Sequence, residues 1–267
     1  MSRRLTVLAG AGALVEEVIQ GARRAGDEVQ ILPLVERPDL GLAEVFRAAD
    51  IPRLIWRIKS FGSTHVTMVG GLRASAADRA ALQRFARTRG PSGDAALLRI
   101  AEKVLAMTGA KLVGAETIVP DILAPEGHIA GPQLPGALQA AARLALATAR
   151  EIGRLDIGQA AIAAPGRVIA VEDVAGTDAL LERVARYRAE GLDPGGGLVL
   201  AKALKPQQSR LTDRPAIGPE TVRRAASAGV AAIVVEAGGA ILIDRAGIEQ
   251  AAVAAGISVV GMGPNGG

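Results

Sequence analysis

Short apolar runs alternate with longer amphipathic ones along most of the 267 residues. Leu5–Ala9, Val29–Leu34 and His65–Val69 are compact aliphatic runs bounded by glycine, proline or charge, and they predict strands. Between the first two, a Gly-rich turn leads into a predicted helix from about Ala13 to Ala25, with Gly26 where a helix stop belongs. Further helices are predicted over 76–88 and 94–107, the latter stopped by Gly109. Strand–helix alternation of this kind implies a parallel sheet with helices on its faces.

Residues 120–136 change character, carrying Pro120, Pro125, Pro132 and Pro135 with three glycines. Such density predicts a linker or lid. Beyond it the pattern predicts a helix over 136–152 and strands near 160–164, 167–171, 198–202, 230–235, 240–243 and 257–260. Helices are predicted near 177–190, 219–228 and 245–255, with Thr177 or Gly176 capping the first and Pro219 at the favoured first position of the second. The chain reads as α/β, with two α/β domains joined by the Pro-rich linker. Residues 1–132 form a Rossmann-like parallel sheet and 133–267 a mixed α/β domain.

Composition narrows the chemistry. Hydrophobic residues make up 49% of the chain, too many for a disordered protein. With one Trp, one Tyr and three Phe, there is little to stack bases on, which argues against nucleic acid as partner. The absence of cysteine excludes disulfides, Cys-ligated zinc and thiol catalysis, and two histidines leave little for a multi-His metal site or a Ser–His–Asp triad. Any metal would sit among oxygens and be hard. The net charge is +4, with 17 basic against 14 acidic residues before Gln133 and 14 against 13 from there on. So thin an excess implies mild affinity for an anionic ligand or membrane surface and nothing stronger. No run reads as a signal peptide or reaches about 20 uninterrupted apolar residues, which predicts a cytoplasmic chain.

Six places carry candidate chemistry. Gly10-Ala11-Gly12 lies between a strand and a helix, where backbone amides can hold phosphate, although Val15 stands where a dinucleotide fingerprint wants its third glycine. Asp94 precedes a helix as an N-cap or a metal-facing carboxylate. Asp156 and Gln159 precede a very apolar strand, and Glu172, Asp173 and Asp178 cluster between a strand and the Thr177 helix, at the kind of strand end where α/β proteins bind ligands. Lys202 and Lys205 end another apolar strand and are followed by Arg210 and Asp213, pairing phosphate-binding cations with a carboxylate able to hold a metal or activate water. Glu236 ends a strongly apolar strand, a position costly for a carboxylate unless it is paired.

The runs EIGRLDIGQ (151–159), VEDVAGTDALLERV (171–184), LAKALKPQQSRLTDRPAIGPETV (200–222) and AGVAAIVVEAGGAILIDR (228–245) resemble the LpxI family, the UDP-2,3-diacylglucosamine diphosphatases of lipid A biosynthesis. The resemblance covers most of the chain and is strongest over the C-terminal half. The N-terminal half departs from it at three places: Ala11 in an AGGG turn, Ala95 in a GDDALLR run, and GGLRAS (70–75) where the family tends to read GNVSRP. The resemblance implies magnesium-dependent hydrolysis of UDP-2,3-diacylglucosamine to UMP and 2,3-diacylglucosamine 1-phosphate (lipid X), with attack on the phosphorus nearer the sugar. It implies Asp213 as the essential carboxylate, two domains closing over the lipid product, a homodimer and transient contact with the inner-membrane surface. The expected sites are then Asp213 as catalytic residue; Gly10, Gly12, Gln159, Thr177, Lys202 and Lys205 against the substrate; and Asp94, Glu172, Asp213 and Glu236 around Mg2+. Two other readings stand beside it: a non-catalytic relative that binds lipid or nucleotide sugar, and an NAD(P)-dependent oxidoreductase built on the Gly10–Gly12 turn.

Overall fold

A computed structural model describes residues 2–42, 44–47, 50–71, 76–85, 101–192, 195, 197–205 and 214–263. Asp94, Ala95 and Asp213 lie outside these residues, as do the start of the helix expected over 94–107 and residues 72–75. The chain divides into two compact units, one spanning Met1–Pro120 and the other beginning at Asp121.

In the first unit, strands β1 (Arg4–Ala9), β2 (Glu28–Pro33), β3 (His65–Val69) and β4 (Lys111–Leu112) form a sheet of order β2-β1-β3-β4. Every pairing is parallel, with Val7 opposite both Ile31 and Thr67. The connections carry helices α1 (Leu14–Arg24), α2 (Ile51–Phe61) and α3 (Ala76–Phe85), and α4 (Ala115–Ile118) follows β4. Helix α2 has no counterpart in the expected elements. Pro52 near its start and left-handed Gly62 at its end bound it in the usual way. Its buried Ile51, Leu54 and Ile58 recur at helical spacing, and the latter two join Leu8, Leu32, Phe46, Val66, Met68 and Leu105 in the unit's core.

The second unit holds β5 (Gly127–Ala130), α5 (Gln139–Arg154), β6 (Ala160–Ala164), β7 (Arg167–Val171), α6 (Gly176–Ala189), β8 (Leu198–Lys202), β9 (Ala216–Ile217), α7 (Pro219–Ser227), β10 (Val230–Glu236), β11 (Ile241–Leu242), α8 (Arg245–Ala255) and β12 (Ser258–Met262). Six strands make one sheet of order β5-β12-β10-β8-β6-β7, and β9 with β11 makes a small parallel pair. Strands β8, β10 and β12 run parallel, whereas β5, β6 and β7 pair antiparallel, so this sheet is mixed.

The strict alternation of strand residues separates two cores. Ile162, Leu200, Ile233 and Val259 face one side, where Leu180, Val222 and Ile248 of three helices cover them. Ala161, Ala163, Val199, Ala201 and Val234 face the other side, against Ala141, Ala142, Ala145, Leu146 and Ala149 of α5. Alanine on both partners lets this helix lie close on its sheet.

The proline-rich stretch is more than a linker or lid. Within it, β5 is an antiparallel edge strand, with Ala130 opposite Val259 and His128 opposite Val260. Pro125 and Pro132 flank the strand without interrupting its ladder. A Cβ on Gly261 would lie 1.8 Å from the Pro125 carbonyl oxygen, so the chain approaches β12 closely there. This pairing places residues 127–130 in the second unit, and the division falls at Pro120/Asp121 where the sequence suggested 132/133. No helix among the described residues is long and apolar enough to cross a membrane.

Candidate functional site

One edge of the second unit's sheet collects the ends of four apolar strands. Lys202 ends β8, with Ala160 opposite it on one neighbour and Val235 on the other, and Glu236 of β10 stands opposite Met262 of β12. The antiparallel β6 begins at this edge and β7 ends there, which brings Gln159 and Glu172 alongside.

Glu172 is only 6% exposed and organises this edge. Its Oε1 accepts from the Thr177 hydroxyl at 2.6 Å and its Oε2 from the Gln159 amide at 2.6 Å. These bonds tie the end of β7 to the start of α6 and to the start of β6. The carboxylate thus meets charge-supporting donors that justify its burial. Gly158 is required beside it, because a Cβ there would lie 2.6 Å from the Glu172 carbonyl oxygen. The Gln159 carbonyl accepts from the Ala203 amide at 3.0 Å, extending the connection to β8. Its side-chain Oε1 is buried without a hydrogen-bond partner among the described residues.

Lys202 is 7% exposed, and its Nζ donates to the Ala216 carbonyl at 3.0 Å. Burial pushes its pKa below the ordinary lysine value, opposed by the charges of Glu172 and Asp178. Lys205 pairs with Asp156 at 2.9 Å. Glu236 accepts from the Leu204 amide at 3.2 Å and pairs with Arg150 at 3.3 Å, as its position at the end of an apolar strand requires. Arg214 donates to the carbonyls of Gly238 and Gly239 at 3.0 and 3.2 Å.

The edge therefore unites Gln159, Glu172, Thr177 and Lys202 through direct contacts and backbone pairing, with Lys205 and Glu236 joined through residues 203–205. Arg150, which pairs with Glu236, is the neighbour of this cluster that the sequence pattern does not single out. Its signal was its spacing four residues after Leu146, on the flank of the buried face of α5.

Gly10 and Gly12 belong to the first unit. The Gly10 amide donates to Val69 at 2.7 Å and the Ala11 amide to Gly71 at 2.9 Å, while Gly71 returns a bond to Ala11 at 2.8 Å. Two amides that a phosphate cradle would use are thus engaged with the neighbouring loop. A Cβ on Gly10 would lie 2.7 Å from the Gly71 carbonyl oxygen, so close backbone approach accounts for that glycine. Gly12 has φ +103° and accounts for the turn. The first turn of α1 carries Glu16 and Glu17, which complement the helix dipole and oppose a bound anion. Buried Arg37, another residue not anticipated, supports the turn by donating to the Gly10 carbonyl at 2.8 Å.

Among the described residues, no group of three or more His, Asp or Glu side chains is placed to hold a metal ion. Both oxygens of Glu172 accept protein hydrogen bonds, and Glu236 is paired with Arg150. These two carboxylates do not by themselves fit a magnesium site.

Fold and site define a two-unit α/β protein whose polar groups gather at the strand ends of its mixed sheet. Family models described as the LpxI N-terminal domain and the LpxI C-terminal domain match residues 4–122 and 125–260. A protein of Caulobacter vibrioides named UDP-2,3-diacylglucosamine pyrophosphatase LpxI is 35% identical over 282 residues, spanning 98% of each chain. The chain belongs to the LpxI family.

Proposed function

We propose that this chain hydrolyses the diphosphate of UDP-2,3-diacylglucosamine, releasing UMP and 2,3-diacylglucosamine 1-phosphate in lipid A biosynthesis. The observation that carries the reading is the end-to-end likeness to a relative named for that activity, which spans both units rather than one domain. The strand-end cluster supports it, since paired cations and carboxylates at such an edge suit a diphosphate.

In this reading water adds to the phosphorus nearer the sugar, the bond from that phosphorus to the bridging oxygen breaks, and UMP leaves with that oxygen. Asp213 is the carboxylate that accepts the proton of the attacking water. Glu172 holds Gln159 and Thr177 in place at the edge. Lys205 reaches the diphosphate by exchanging its surface partner Asp156, whereas buried Lys202 acts from behind by holding Ala216. Magnesium is the proposed cofactor, supplying charge neutralisation at the diphosphate when bound. Asp94 and Asp213 are its proposed ligands, while Glu172 and Glu236 keep their protein partners. The chain is further proposed to act as a homodimer, in the cytoplasm and at the membrane surface where a diacyl substrate resides.

The test is UMP release by the purified chain in water enriched in 18O, with magnesium and with a chelator. The expected outcome is magnesium-dependent release, with label in the sugar phosphate and none in UMP. Label in UMP would move the attack to the other phosphorus, and no release from folded protein would overturn the reading.

A further inference from the structure

The chain's single tryptophan, Trp56, lies on α2 and is 63% exposed. Nothing in the packing of the first unit calls for it there. Ile51, Leu54 and Ile58 supply the buried face of α2, and Trp56 with Ser60 occupies the opposite side. Exposed Arg53 flanks Trp56 on one side of that face and exposed Lys59 on the other, following the helical repeat, while Arg57 turns toward the buried side, half-buried with its Nε out of solvent. The helix contains no acidic residue. The acids just before it are engaged: Glu44 pairs with Arg53, and Asp50 accepts from the Arg47 amide at 2.9 Å. Arg53 is also held over the Phe46 ring at 5.4 Å, which fixes its guanidinium beside the face.

An amphipathic indole flanked by cations, on a rigid helix whose other side is buried, matches the chemistry of a bilayer interface. Indole rings settle at head-group depth, and lysine and arginine pair with anionic head groups. We propose that the exposed face of α2 docks on an anionic lipid bilayer, with Trp56 inserting and Arg53 and Lys59 facing the phosphates. The occupant is a membrane surface because the face joins net positive charge to one large apolar side chain. A protein partner would have to bring an acid to Lys59 and a slot for the indole at one fixed spacing, whereas a lipid surface supplies both without a fixed register. The inference rests on the proposed function only in that a substrate with two acyl chains resides in such a surface.

Because Trp56 is the only tryptophan, its emission reports on this face of the intact chain. Added to vesicles of phosphatidylglycerol and phosphatidylethanolamine, the full-length protein should show a blue shift and gain of emission, absent with phosphatidylcholine and reversed by salt. Lys59→Gln should weaken vesicle binding about fivefold, the effect of one cation at an anionic surface. Trp56→Ala should weaken co-sedimentation while leaving hydrolysis of detergent-dispersed substrate at the wild-type rate. Emission unmoved by anionic vesicles would overturn the proposal, even if the protein sediments with them by another surface. A blue shift that grows with protein concentration in the absence of lipid would also overturn it, by assigning the face to a second copy. A loss of hydrolysis in detergent for Trp56→Ala would overturn it by placing Trp56 in the substrate site. Failure of the wild-type chain to hydrolyse substrate in detergent would sink the proposed function alone, since vesicle binding is read without substrate.

Discussion

Lys202 is the residue where charge, burial and position conflict most sharply. An ammonium 7% exposed at the end of an apolar strand is tolerated because Ala216 accepts from it and Glu172 offsets its charge. Its folded pKa lies below its ordinary value of 10.5, so the native state binds fewer protons than the unfolded chain between those two values. The charged lysine therefore costs stability below its folded pKa, and the cost is relieved as pH rises toward 10.5. Lys202→Met removes the titration. Its stability at neutral pH should be near the wild-type value, since removing a buried charge offsets the about 1–3 kcal/mol of an unpaired carbonyl. Urea melts across pH 7 to 10.5 should show wild type gaining on the variant as pH rises; parallel curves would mean the amine is not strained by burial. At this scale the candidate site was legible wherever a polar residue bounded an apolar run, as Gln159 does before β6 and Glu172, Lys202 and Glu236 do at the ends of β7, β8 and β10. Arg150 and Arg37 escaped because a long cation on a helix or loop is ordinarily solvated, and only the fold shows which carbonyl or carboxylate it meets.

Strands and helices follow a different logic, in which pattern defines the element and the partner defines its closeness. Periodicity alone located β3, β6, β7, β8 and α8, because each is a full-length run with clear punctuation. It missed β5, whose four residues sit among prolines and owe their extended state to pairing with β12. It missed α2 as well, where Pro52 obscured a helical repeat of Ile51, Leu54 and Ile58 that the sheet's core selects. The alanine run of α5 is the element whose composition matters most to packing. Ala145 is fully buried against the alanines of β6, whereas Ala147 is exposed. Ala145→Leu should cost about 1–3 kcal/mol by overpacking, with Ala147→Leu within about 0.5 kcal/mol of wild type. Denaturant midpoints at unchanged slope would measure both. Equal midpoints for the two variants would mean that α5 can lift from the sheet without penalty.

Across the whole molecule, each unit contains its own sheet and its own buried cores, with Leu8, Leu32 and Ile58 in one and Ile162, Leu200 and Val234 in the other. The family models change over between residues 122 and 125, beside the structural division at Pro120/Asp121. A unit that closes its own core can fold alone. Fragments 1–122 and 123–267, expressed separately, should each give a cooperative melt and a helical circular dichroism spectrum. The Caulobacter vibrioides relative matches both units over 98% of its length, so the same two units share one chain there. Neither fragment alone should release UMP, although the second holds the entire described cluster of Gln159, Glu172, Thr177 and Lys202. Hydrolysis by the 123–267 fragment at the full-length rate would show that the strand-end edge and Asp213 suffice. The first unit would then be left with the bilayer-facing role of α2. Loss of hydrolysis from two folded fragments would instead show that chemistry requires groups from both units.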